Sequence, residues 1–175
     1  MPISIAARCG ACFALAVAGI VNVGLWGRNA PAQPNNTVGA AETVRIYPGG
    51  MEFLARIDTG AATSSINARR IRPFKRGGRR WVGFEIAGKR GQVVAMERAV
   101  IRVVRIITFD GTRKRRYVVR IGICLGDVYK EAQVSLADRR HRAFPVLIGR
   151  RFMAGKILVD PGREFVTRPR CPGRK

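Results

Sequence analysis

The chain has 175 residues, 47% of them hydrophobic, with 33 Lys and Arg against 11 Asp and Glu and a single His. That length suits one well-cored domain rather than two, and the apolar fraction excludes disorder throughout. A formal charge of +22 favours anionic partners of a non-specific kind; yet 27 of the 33 cations are Arg, spread along the chain as a compositional bias would spread them, with short clusters only at Lys75–Arg80 and Arg113–Arg116.

The first 32 residues form a separate object. Cys9–Gly27 runs for 19 residues without a charge, longer than the apolar core of a cleaved signal, roughly 7–15 residues, and just long enough to cross a bilayer. Ala30-Pro31-Ala32 places small residues where a signal peptidase needs them. Residues 1–32 therefore read as a signal peptide or a membrane anchor. This predicts an exported protein, periplasmic or held on the inner membrane facing the periplasm, with the membrane as a partner if the segment stays uncleaved. No lipobox spacing precedes Cys9 or Cys12. Residues 33–42 read as a Pro/Asn-containing linker, 43–167 as the folded domain and 168–175 as a basic tail.

From Thr43 the pattern is mostly β. TVRIY ends at the turn Pro48-Gly49-Gly50, and MEFLARI alternates up to Asp58. WVGFEI (Trp81–Ile86) and QVVAM (Gln92–Met96) flank a Gly-rich turn. VIRVVRIITF (Val100–Phe109) stops at Asp110-Gly111, a hairpin signal, and RYVVRIGICL returns. VYKEAQVSLA (Val128–Ala137) is a further strand. Arg150–Ala154 reads as one short helix stopped by Gly155, and KILVD resumes as strand. Six or more short strands at this spacing predict an all-β closed or sandwich-like domain. Cys124 and Cys171 remain in it, and their pairing is left open by the sequence.

Several chemistries are excluded by inventory. One His (His141) cannot build an HExxH or two-His zinc site within one chain. Ser64 and Ser65 have no evident histidine base, and no Gly-rich phosphate loop leads into Lys-Ser/Thr. No metal or cofactor is expected. Catalysis, if present, falls to carboxylates, which turns attention to Asp58 in IDTGAATSS. There a strand delivers an acid to the end of a sheet. Gly60 permits close approach of another backbone, Thr59 offers a hydroxyl to a neighbouring loop, and Thr63, Ser64 and Ser65 could hydrogen-bond the carboxylate from its outer side. Two such acids brought together cannot both ionise cheaply, so they share a proton, one acting as base on a water while the other donates to a carbonyl. The plain alternative is an Asp-Thr-Gly turn without chemical consequence.

The wider pattern resembles a family. Ile57-Asp58-Thr59-Gly60-Ala61, followed by small hydroxyl residues, is similar to the catalytic loop of retropepsin-like aspartic proteases. About ninety residues later FPVLIGRRFM (Phe144–Met153) resembles that clan's second signature. Together they look like the bacterial retropepsin-like family historically labelled ATP-dependent zinc proteases, whose genes often neighbour glutamate- or lysine-adding ligases; the resemblance covers roughly Thr43 to Phe165. It implies a closed retropepsin-like β-barrel with one short helix and an aspartic endopeptidase acting on a peptide or protein substrate. It also implies Asp58 as catalyst, supported by Thr59, Gly60, Ala61, Thr63 and Ser64. Asp138, Leu147, Ile148, Gly149 and Arg150 would form the second loop, with Asp138 fixing that loop rather than reacting. Only one Asp-Thr-Gly occurs in the chain, so the mechanism requires a homodimer with one Asp58 from each copy. Two alternatives stand beside it: a retropepsin-fold binding protein without hydrolysis, and a basic binder of anionic surfaces or nucleic acid.

Overall fold

The computed structural model describes residues 36–88, 91–107 and 111–172. The expectations placed on residues 1–32, and the turn at Asp110, lie outside the described residues. Among those described, no helix is long and apolar enough to cross a membrane.

Among the described residues, twelve strands and one short helix follow in chain order. They are β1 (Asn36–Gly39), β2 (Ala41–Tyr47), β3 (Met51–Asp58), β4 (Ser64–Asn67), β5 (Arg69–Arg76), β6 (Arg79–Ala87), β7 (Val93–Ala99) and β8 (Arg102–Ile107), then β9 (Arg113–Leu125), β10 (Val128–Ala137), β11 (Val146–Gly149), α1 (Arg150–Met153) and β12 (Ile157–Asp160). Seven strands make one sheet in the order β10-β4-β11-β3-β2-β9-β8. Because β10 also pairs with β9, six of them close on themselves as a ring, and β8 extends from it along the first half of β9. β5-β6-β7 form a separate antiparallel sheet, and β1 and β12 a parallel pair. The β-rich expectation therefore holds, with the strands distributed over three sheets rather than one.

The alternation of β3 shows how sequence becomes geometry. Met51, Phe53, Ala55 and Ile57 are buried while Glu52 and Arg56 are exposed, and Leu54 and Asp58 are intermediate. Side chains two residues apart share a face, so Ile57 anchors the end of the strand in the core and Asp58, next in line, is turned out of it. The core against which this happens is one cluster, including Val44, Ile46, Phe53, Ile66, Ile121, Ile123, Leu136 and Ile148.

The ordered fold begins before Thr43 and continues past Thr167. β1 lies within the stretch read as a linker, its ladder satisfied by β12 in register Asn36↔Ile157 to Gly39↔Asp160. Glu42 is fully buried and its carboxylate accepts the N–H groups of Gly39 (2.7 Å), Val166 (3.2 Å) and Thr167 (3.1 Å). That clamp carries the chain's end across the fold, where Cys171 forms a disulfide with Cys124, their Cα atoms 6.1 Å apart. Tyr47 and Tyr129 pack around it, edge to face at 5.7 Å. The segment read as a basic tail is thus covalently held through Cys171.

Candidate active site

Asp58 ends β3, and the chain turns sharply through Thr59-Gly60-Ala61. Its Oδ1 accepts the N–H of Gly60 at 2.9 Å and of Ala61 at 3.0 Å. Both bonds fall on one oxygen, so Oδ2 has no hydrogen-bond partner among the described residues. A Cβ on Gly60 would stand 3.1 Å from that Oδ1, so glycine here makes room for the carboxylate it serves. Thr59 and Gly60 are exposed and Asp58 is half-buried, which leaves the acid accessible at the surface of a single chain.

The second signature passes directly alongside. β11 runs parallel to β3 with Ile148 opposite Ile57 and Gly149 opposite Asp58. A Cβ on Gly149 would meet Ala61 O and Thr63 C at 2.8 Å and Ser64 N at 3.1 Å. All three are backbone atoms, so nothing there can swing away; only glycine lets these segments cross. Ile148 is buried beneath the crossing, and Leu147 faces the adjoining cleft. Arg150 then locks the loop from outside: its backbone N–H donates to Ala61 O at 2.8 Å, and its Nη1 to Thr59 O (2.8 Å) and Gly60 O (2.7 Å). α1 follows and is ended by Gly155 at φ +74°.

The loop hydroxyls do something other than the sequence suggested. None of Thr63, Ser64 and Ser65 bonds the Asp58 carboxylate. Ser64 Oγ accepts the Gly149 N–H at 3.1 Å, Ser65 Oγ accepts from Arg139 at 3.1 Å, and Thr63 Oγ1 accepts from Arg102 at 3.2 Å. They tie the loop to the elements behind it, and backbone amides hold the acid. Asp138 is exposed; it bonds the N–H and guanidinium of Arg140, two residues on, rather than the second signature. That pairing draws its carboxyl well below the ordinary carboxylate range. The residue that braces this region is its neighbour Arg139, which sequence reasoning missed. Its N–H donates to Asn67 Oδ1 at 2.8 Å and its Nε to Phe144 O at 3.0 Å. Burial and the adjacent Arg142 and Arg116 hold the Arg139 guanidinium below its usual pKa, while the Asp58 carboxylate pulls the opposite way.

Beside the loop opens a cleft of about 330 Å³, lined by Ala61, Ala62, Thr63, Leu147 and the cations Arg102, Arg116 and Arg139. Arg116, Arg139 and Leu147 also line an adjoining cleft of about 600 Å³ with Lys114, Arg115 and Arg142. Among the described residues no three His, Cys, Asp or Glu side chains gather as a metal donor set.

Comparison with known proteins agrees with this geometry. The family model described as the RimB-like, retropepsin-like aspartic endopeptidase RimB, matches residues 37–170. The chain belongs to the RimB-like family. Its resemblance to a solved structure is of the same kind: a Legionella pneumophila protein of unknown function superposes with a TM-score of 0.67 at 27% identity, over 77% of this chain and 99% of that one. Two curated relatives carry another name. A probable alpha-L-glutamate ligase of Shewanella pealeana is 40% identical over 124 residues, covering 69% of this chain and 26% of the relative. Its counterpart from Shewanella halifaxensis is 41% identical over 114 residues, covering 63% and 25%. The RimB-like chain thus spans about a quarter of the length of these relatives, and their name describes proteins most of which lies outside the match.

Proposed function

We propose that the protein is an aspartic endopeptidase in which two copies each supply Asp58 to one site. The observation that carries this reading is the crossing at Gly149. It pins the Asp-Thr-Gly loop against β11 and commits Oδ1 to two amides, while Oδ2 and the exposed Thr59-Gly60 edge stay available to a second copy and a water. Two carboxylates meeting there share one proton. The ionised one takes a proton from water as it attacks the scissile carbonyl, and the protonated one donates to the carbonyl oxygen. Backbone N–H bonds on Oδ1 hold the carboxylate's direction without using a side chain that could itself titrate.

The clefts beside the loop favour a substrate class. Arg102, Arg116 and Arg139 line the nearer one without an acidic neighbour in its lining, a setting that suits peptides carrying carboxylate side chains. The relatives' name, a glutamate-joining ligase, points to the same chemistry of acidic peptides. We also propose that the domain works after export. Two features support this: the uncharged stretch Cys9–Gly27 and the Cys124–Cys171 disulfide, a bond that persists in oxidising compartments.

Asp58→Asn tests the assignment. Asn keeps an Oδ1 acceptor for Gly60 and Ala61, so fold and stability should be retained while cleavage of an acidic peptide library disappears across acidic to neutral pH. Undiminished hydrolysis would end the aspartic-protease reading. Normal biological activity with no hydrolysis by either protein would favour a binding role for the fold. Strictly monomeric sedimentation of an active enzyme would refute the shared pair.

A further inference from the structure

We infer that the β5–β6 and β8–β9 hairpins together form a binding site for the headgroups of anionic phospholipid, by which the domain lies on a membrane surface. Neither Asp58 nor the proposed hydrolysis takes part in it. A row of side chains runs along the inner face of the β5–β6 hairpin. Val82, Phe84 and Ile86 of β6 are buried there, and alternation puts Arg80 next in that row toward the tip, with Lys75 directly opposite. Those positions, had the hairpin been packed onto its neighbour to the end, would be apolar. Instead both carry cations, and both are exposed.

The facing hairpin repeats the pattern. Val103 pairs with Tyr117, and two residues along the same face Arg105 pairs with Arg115, both exposed. Like charges directly opposite on adjacent strands destabilise a sheet, so Lys75↔Arg80 and Arg105↔Arg115 are a cost that the fold itself does not require. The groove between the hairpins, about 320 Å³, is lined by Lys75, Arg80 and Arg115 with Pro73, Phe74, Val103 and Tyr117, and among the described residues its lining contains no carboxylate. Elsewhere the same sheet does pair its charges: on its opposite face Arg70 of β5 meets Glu85 of β6, and Arg76 of β5 meets Glu97 of β7. Among the described residues none neutralises the inner groove, and an external anion would complete it.

The choice of phospholipid over nucleic acid follows from the aromatic groups. Sequence-tolerant nucleic-acid binding needs open ring faces on which bases stack. Here Phe74 and Trp81 stack on each other at 6.4 Å, and the Arg76 guanidinium lies over both rings at 5.1 and 4.8 Å. A cationic rim above an apolar floor instead matches an amphiphile, with phosphate at the rim and glycerol or acyl carbons on Pro73, Val103 and Tyr117. The chain also carries in Cys9–Gly27 an uncharged stretch of bilayer-crossing length, so a second, electrostatic contact would supply the pair of signals that firm membrane attachment takes.

The test compares the full chain on vesicles of neutral phosphatidylcholine with vesicles containing phosphatidylglycerol. The apolar stretch contributes to both, and the difference between them isolates the groove. A cation near an anionic surface is worth roughly a fivefold factor in partitioning, so Lys75→Gln/Arg80→Gln/Arg115→Gln should lose roughly 100-fold of the anionic increment. Lys156→Gln/Arg163→Gln/Arg168→Gln, which removes the same charge from exposed positions elsewhere, should lose far less. The increment should collapse with added salt, and anionic vesicles should shield the hairpin from trypsin at Lys75 and Arg80. The groove variant should melt no lower than wild type, since it removes like-charge pairs, and Asp58→Asn should bind vesicles normally. Equal losses by the two triple variants would overturn the site, as would a lower melting point for the groove variant. So would loss of single-stranded RNA binding with an unchanged vesicle increment.

Discussion

Replacing Gly149 with Ala isolates the contact on which the candidate site depends. At φ −96° and ψ 170° the backbone of Gly149 is in a region any residue adopts, so Ala brings no conformational strain of its own and the effect is one of space alone. The new methyl would lie 2.8 Å from Ala61 O and Thr63 C, well inside contact distance and against atoms that move only if the loop moves. Overpacking of this kind costs about 1–3 kcal/mol. Displacing the strand also weakens the Gly149 N–H bond to Ser64 Oγ and the Arg150 N–H bond to Ala61 O, at about 0.5–1.5 kcal/mol each. The expected loss is about 2–6 kcal/mol by equilibrium urea unfolding, together with loss of peptide hydrolysis as Asp58 moves off its partner. Gly155→Ala is the control. It sits at φ +74° with nothing near its missing Cβ, so it should cost about 1–2 kcal/mol through the backbone and leave hydrolysis intact. If Gly149→Ala unfolds within about 0.5 kcal/mol of wild type and still cleaves peptide, the crossing does not hold the loop.

Three further outcomes follow from other parts of the fold. Glu42→Gln places an amide NH₂ among three backbone donors, and should destabilise by about 2–3 kcal/mol while freeing residues 163–171 to early proteolysis; unchanged protection there would show the clamp to be unimportant. Cys124→Ser with Cys171→Ser opens a link spanning 47 residues; chain entropy puts the loss at up to about 4 kcal/mol, read as a lower urea midpoint that reductant lowers in wild type but not in the variant. Asp138→Asn tests a pH effect. Its carboxyl is held below the unfolded value of 3.8 by Arg140, so its contribution is present above that pH and fades as pH falls below it. Because the pair is exposed, the variant should lose little at pH 7, and its difference from wild type should shrink as pH falls below the unfolded value toward the depressed folded one; a difference that does not shrink between about pH 5 and pH 2 would refute the pairing.

What the sequence determined by itself was chemistry carried in contiguous runs. Alternation in MEFLARI and WVGFEI, the Asp-Thr-Gly turn and the Gly-stopped helix at Arg150–Met153 depend on neighbours a few residues away, so they could be read along the chain. β4 and β5 could not. Ser64–Asn67 is short, and Arg69–Arg76 has no apolar alternation and contains Pro73, tolerated because β5 is the edge of its sheet. β1 was hidden for a related reason, since four residues with a single apolar side chain, Val38, become a strand only when β12 arrives from some 120 positions away. The same distance governs the site. Whether Ser64 faces Asp58 or Gly149, and Ser65 Arg139, is decided by partners 85 and 74 residues off, and a hydroxyl turns toward whichever buried donor lacks an acceptor. The cations were countable from the start, but their meaning was not. Only tertiary packing put Lys75, Arg80 and Arg115 around one groove and Arg102, Arg116 and Arg139 beside the loop that follows Asp58, because charge interacts through space and not along the chain.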